Sequence, residues 1–192
     1  MSKPHLLILA LLGIGACTTS AASTPTEITP FTYDASVSDV TPTLLTSNCR
    51  VNVVHVADHR FRKDGIGAEF PVVTGPSEPW LNSGLERLKD YGFKVQRSDK
   101  PLPDAINLNV RLIRAYTWYG HMRINGMVAF DVEVATPAGP RSEKFRSTGS
   151  KTNMWNGKGE HVTALNYAFN HAMHKSAQSL KQDCAQVKVA AL

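Results

Sequence analysis

Two stretches in the middle of the chain alternate apolar and polar side chains with a period of two. In the first, Ile106, Leu108, Val110 and Leu112 alternate with Asn107, Asn109 and Arg111. After Gly120-His121, Ile124, Val128, Phe130, Val132 and Val134 alternate with Arg123, Asn125, Asp131 and Glu133. Successive side chains of a strand point to opposite faces, so this pattern predicts a long β-hairpin with one face buried and the other largely wet. Upstream, Arg50–His59 reads as a strand with apolar residues on both sides, which suits a strand covered on two faces. Residues 61–78 read as a loop. Ser77-Glu78-Pro79 then opens a helix carrying Leu81, Leu85 and Leu88, which Gly92 can close. Phe93, Val95 and Arg97 form a short strand. Pro137-Ala138-Gly139-Pro140 turns the chain into a charged, edge-like strand over Arg141–Ser147. From Glu160 to Ala185, Val162, Leu165, Phe169, Ala172, Ser176, Leu180 and Cys184 recur by threes and fours, which predicts one long amphipathic helix. The order strand, helix, strand, hairpin, strand, helix implies an α+β two-layer sandwich. Its sheet has four or five mostly antiparallel strands, with two helices on one face.

The first residues follow a different logic. Lys3 precedes Leu6–Ala16, eleven uncharged, mostly apolar residues. As a helix they would reach about 16 Å, half the thickness of a hydrocarbon core, so they are too short to span it. A positive start, a short apolar run and small residues at its end describe a secretory signal peptide. The run ends Ile14-Gly15-Ala16-Cys17, which resembles the bacterial lipobox. That resemblance implies cleavage before Cys17 and acylation of its thiol and amine. Two or more acyl chains anchor a protein firmly to a membrane. Thr18 rather than Asp follows the cysteine, which in enteric-type bacteria implies the outer membrane, with the domain facing the periplasm. Residues 17–48, rich in Ser, Thr and Pro, read as a tether, with Leu44-Leu45 able to touch the domain. The expected organisation is a signal peptide over 1–16, an acylated tether over 17–48, the α+β domain over 49–186 and a tail over 187–192.

The chain has three cysteines. Setting Cys17 aside leaves Cys49 and Cys184, an even number in an oxidising compartment, which predicts one disulfide. Cys49 immediately precedes the first strand and Cys184 lies on the apolar stripe of the last helix, so the bond would tie the two ends of the domain together. No CxxC occurs, so no thioredoxin-type redox motif or zinc knuckle is supported.

The layout of the whole chain resembles the YajG-type family of bacterial lipoproteins. The resemblance rests on the Cys17 lipobox and Thr/Pro-rich tether, a strand ending Ala57-Asp58-His59-Arg60, a helix closing at Tyr91-Gly92-Phe93, two alternating strands, a charged strand and a terminal helix. It implies a membrane-anchored, periplasm-facing protein without enzymatic activity. The disulfide is not implied by the family.

Composition fits an ordinary globular domain: 42% of residues are hydrophobic and 19% charged, with a net charge of +5. In the periplasm that positive charge would meet anionic lipid, phosphorylated glycolipid or acidic proteins rather than nucleic acid. The motifs of enzymes and cofactor sites are missing. Gly65-x-Gly67 has Phe70 where a dinucleotide fingerprint needs glycine, and proline follows instead of a helix. There is no GxSxG or HExxH motif. His55 and His59, four apart on a strand, are about 13 Å apart and cannot share a metal. His171 and His174 read as a solvated helix face. No cofactor and no metal are therefore expected. Asp58 and Arg60 share a face and read as an ion pair pinning the 61–78 loop. The remaining candidate is the hairpin end. Tyr116, Trp118, Tyr119 and Met122 crowd it, and Arg111, Arg114 and Arg123 lie around it, a composition typical of contact surfaces. The expectation is a binding or accessory lipoprotein of the envelope acting on a protein or an anionic glycolipid. The alternatives are a structural envelope lipoprotein without a discrete ligand and, more distantly, an envelope hydrolase.

Overall fold

The structure, a computed structural model, describes residues 26–27, 40–45, 49–61, 63, 73–74, 77–136, 139–154 and 158–190. The expected signal peptide, Cys17 and most of the expected tether lie outside these residues, as does most of the 61–78 loop. The elements are β1 (Cys49–Asp58), α1 (Ser77–Leu85), β2 (Phe93–Arg97), β3 (Ile106–Gly120), β4 (Arg123–Thr136), β5 (Gly139–Thr152) and α2 (Lys158–Ala190). A 3-10 turn over Glu86–Tyr91 continues α1 and ends at Gly92, whose φ of 93° is the left-handed closure glycine favours. The helix expected over 77–91 is thus present as an α-helix followed by a tighter turn. The last helix runs on to Ala190, beyond its expected end, and β5 continues past Ser147 because it pairs with β4 along its whole length.

The five strands form one sheet in the order β2-β1-β3-β4-β5. The pairings β3–β4 and β4–β5 are long and antiparallel, while β1 pairs in parallel with both β2 and β3 over shorter stretches. The fold is an α+β sandwich with a mixed sheet and both helices on one face. Separately, Thr26–Glu27 pairs in parallel with Val73–Thr74. No helix among the described residues is long and apolar enough to cross a membrane.

The core lies between sheet and helices. Trp80 and Phe169 pack with ring centroids 4.6 Å apart, and Phe130 meets Phe169 edge-on. The Trp80 indole N–H donates to the Asn166 side chain, so the largest core residue keeps its polar atom satisfied. Gly84 makes room for this cluster, since a Cβ there would stand 1.6 Å from the Phe169 ring. Gly126 and Gly149 face each other across β4 and β5. A Cβ on Gly126 would stand 2.5 Å from the Ala164 carbonyl oxygen, and one on Gly149 would stand 2.4 Å from the Ala168 amide nitrogen. The glycine pair is a shallow seat into which one turn of α2 sinks, and this fixes the helix across the outer strands. Leu45 packs on the core, and its N–H donates to the Tyr91 carbonyl, so the chain just before β1 lies against the domain.

Cys49 and Cys184 are joined in a disulfide with a Cα–Cα distance of 5.8 Å. It connects the start of β1 to the last turns of α2, at the end of the sandwich away from the β3–β4 hairpin tip.

Candidate functional site

The hairpin, with β5 alongside it to Thr152, reaches well beyond β1, which pairs with β3 only as far as Leu112. Just past that point the register of β3 against β4 slips between Leu112 and Arg114. A bulge of this kind shifts the alternation by one residue. Before it, Leu108, Val110 and Leu112 are buried; after it, Ala115 and Thr117 are buried and Arg114, Tyr116 and Trp118 face away from the helices. The aromatic residues of the tip therefore divide between the two faces. Tyr116 and Trp118 pack together on the open face with centroids 5.6 Å apart. Tyr119 turns the other way and meets the ring of His161 edge-on.

His161, at the start of α2, is buried and lies 2.8 Å from the Thr117 hydroxyl through Nδ1. Burial pushes its pKa below the ordinary imidazole value, with the neighbouring Glu160 acting in the opposite direction. It is a neutral strut between helix and hairpin, holding the base of the tip.

The tip itself is exposed. Trp118 is 36% accessible, Tyr119 42% and Met122 69%. The chain reverses over His121-Met122, and Met122 has a φ of 54°, the left-handed region that residues with a side chain rarely adopt. The Asn153 N–H donates to the Met122 carbonyl, which brings Met154, 67% accessible, beside the tip.

The expected cations have different surroundings. Arg111 is paired with Glu133 at 2.8 Å, and Arg123 donates to the Ser150 hydroxyl. Arg114 is exposed and lies opposite Ala129, whose other neighbour is Arg146 on β5. The backbones of Arg114 and Arg146 are thus two strand spacings apart, about 10 Å, with only a small side chain between them. Arg146 and Met154 were not singled out in the sequence. Their signal was the absence of Asp and Glu from 113–130 and from 144–154, stretches brought side by side only when β4 and β5 pair.

The other candidates are structural. Arg60, 5% accessible, holds Asp58 through two guanidinium nitrogens at 2.7–3.1 Å, and the Ser77 hydroxyl donates to the same carboxylate at 2.6 Å. Burial pushes the Asp58 pKa up, but the hydrogen bonds from Arg60 and Ser77 outweigh it and hold it below the ordinary carboxylate value. The pair clasps the start of α1 to the end of β1. His171 lies 2.8 Å from the Thr148 carbonyl through Nδ1 and His174 lies beside Gln178; both line one open groove with Val40, Arg146 and Lys175. Among the described residues, no group of three or more His, Cys, Asp or Glu side chains is placed to hold a metal.

No family model matches the chain, and no curated protein matches its sequence. Among solved structures, the chain is similar to a Xanthomonas campestris protein at 11% identity and TM-score 0.47, covering 84% of this chain and 94% of that one. It is similar to a Chlamydia trachomatis protein at 10% identity and TM-score 0.46, covering 72% and 98%. It is also similar to the rare lipoprotein B of Shewanella oneidensis at 12% identity and TM-score 0.37, covering 72% and 97%.

Proposed function

We propose that the protein is a non-enzymatic accessory lipoprotein of the bacterial envelope, of the YajG type, anchored through acylated Cys17 in the outer membrane and facing the periplasm. Its working surface is the β3–β4 hairpin end, with Tyr116, Trp118, Tyr119 and Met122 as apolar contacts and Arg111, Arg114 and Arg123 as cations. The target is an envelope protein or an anionic glycolipid. The observation that supports this most is the exposure of Trp118 and Met122 at the tip of the hairpin. Aromatic and arginine side chains carry most of the energy at contact surfaces, often ~2 kcal/mol or more each when central. The test has two parts. Labelled fatty acid should enter the wild-type protein and not Cys17→Ser; absence of label from the wild type removes the anchor. A photo-crosslinking residue at position 122 should capture one stoichiometric envelope component in cells. Trp118→Ala should weaken that capture and shift the melting temperature by only a few degrees, since Trp118 lies outside the core and its main ring contact is Tyr116. A large melting shift with unchanged capture would return Trp118 to a packing role.

A further inference from the structure

We propose that the hairpin end of the sheet is a lipid-docking face. Its apolar tip enters the interfacial layer of the membrane and its arginines bind acidic phospholipid headgroups. This deepens the reading above by naming the occupant of the same site, and rests on that reading only for the membrane being within reach.

Four of the six large apolar side chains exposed among the described residues cluster here: Trp118, Tyr119, Met122 and Met154. Trp and Tyr favour the membrane–water boundary, where the ring is half immersed and its polar edge stays wet. The charge around them is mostly positive. The surface built from 113–130 and 144–152 carries Arg114, Arg123, Arg146 and Lys151 and no carboxylate. Two acids border it: Asp131, 3.7 Å from Lys144, and Glu160, which accepts the Met154 N–H. Arg123 and Lys151 stand beside the apolar tip, and Arg114 and Arg146 stand about 20 Å back along the same strands. Basic side chains so placed complement an anionic headgroup layer when the open face lies along it, each contributing about a fivefold preference near the surface. The backbone of Met122 points the same way. A left-handed residue with a side chain, at a position glycine would occupy without strain, places a long flexible apolar group at the furthest point of the hairpin.

Chain length is compatible with this docking. Thr26 pairs with Val73, and Val73–Thr74 comes just before Ser77, whose hydroxyl binds Asp58 at the hairpin-side end of β1. Cys17 is only nine residues before Thr26. Nine residues reach at most about 30 Å when fully extended. An acyl anchor at Cys17 therefore keeps the sandwich within reach of the bilayer.

The test uses the acylated full-length protein in vesicles of phosphatidylethanolamine and phosphatidylglycerol, with and without lipid brominated near the headgroup end of its chains. The chain has three tryptophans, so the measurement is made with Trp155 replaced by Phe, which leaves Trp80 buried in the core and Trp118 at the tip. Tryptophan fluorescence should then be quenched by the brominated lipid, and adding Trp118→Phe should abolish the larger part of that quenching. Changing Arg114, Arg123 and Arg146 to Gln should lower the ratio of docked to undocked protein about fivefold per charge removed. Met122→Gly should also reduce quenching without lowering the melting temperature. Equal quenching with and without Trp118→Phe overturns the proposal, as does equal quenching in vesicles of phosphatidylcholine alone. A stoichiometric protein crosslink at position 122, with no lipid quenching of Trp118, overturns it in favour of a protein partner. Incorporation of labelled fatty acid without Trp118 quenching overturns docking and leaves the anchor standing; quenching without incorporation does the reverse.

Discussion

Arg60 is a cation almost wholly removed from water, and the surrounding residues account for it. Its backbone N–H and two guanidinium nitrogens all reach the Asp58 carboxylate, which also accepts the Ser77 hydroxyl. Removing one partner of a buried ion pair costs far more than the pair's net contribution, because the other charge stays desolvated. Asp58→Asn should therefore destabilise the domain by about 3 kcal/mol at neutral pH, measured by denaturant unfolding. The sign of the pH dependence follows from the lowered pKa of Asp58. A carboxyl whose folded pKa is depressed stabilises the fold above its unfolded value, near 3.9, and loses that contribution as pH falls through the folded one. The difference between wild type and Asp58→Asn should accordingly shrink as the solution is acidified below about pH 4. A constant difference across that range would mean that the clasp acts by shape alone. This contact was readable in the sequence, since two residues two apart on a strand share a face. The contribution of Ser77 was not, because it comes from the far side of a loop.

At the scale of elements, the seating of α2 depends on the facing pair Gly126 and Gly149. A methyl group at Gly126 has only helix backbone to meet, so the helix must lift or the strand must bend. Gly126→Ala should cost roughly 1–3 kcal/mol by overpacking. Gly149→Ala should cost a similar amount, and the double variant less than the sum, because the first substitution already lifts the same turn of α2. Strict additivity in melting curves would show that the two glycines act separately. The long elements themselves were legible. Period-two alternation gave β3 and β4, and the three-and-four spacing gave α2, because each element buries one continuous face. What alternation could not give was the slip after Leu112, where Ile113 looks like any other strand residue yet decides that Trp118 faces away from the helices and Tyr119 toward His161. Nor does a short apolar run such as Arg50–His59 encode whether its neighbours run parallel. That depends on β1 lying between two strands which each follow a crossover. Gly126 and Gly149 likewise read as weak points in strands until the helix above them is known.

Across the whole molecule the sandwich has two unlike ends, and α2 spans the distance between them. His161 braces the hairpin near the start of the helix and Cys184 is bonded to Cys49 near its finish. At 1.5 Å of rise per residue these points lie about 35 Å apart along the helix. The disulfide closes a loop of 135 residues. Restricting the unfolded chain over that length contributes at most about 5 kcal/mol on the chain-entropy argument, and usually less. The pairing of Cys49 with Cys184 was readable in the sequence from the even count left after Cys17 and from the helical register of Cys184. Replacing both cysteines with alanine, or reducing the bond, should lower stability by ~2–5 kcal/mol in denaturant unfolding. The loss should be local in its structural effect. Hydrogen exchange should accelerate first in the last turns of α2 and the first residues of β1, where the staple held them, while Thr117, His161 and the hairpin beyond keep their protection. Exchange that rises equally at both ends would mean that the domain opens only as a whole, and that the hairpin end has no stability of its own apart from the disulfide.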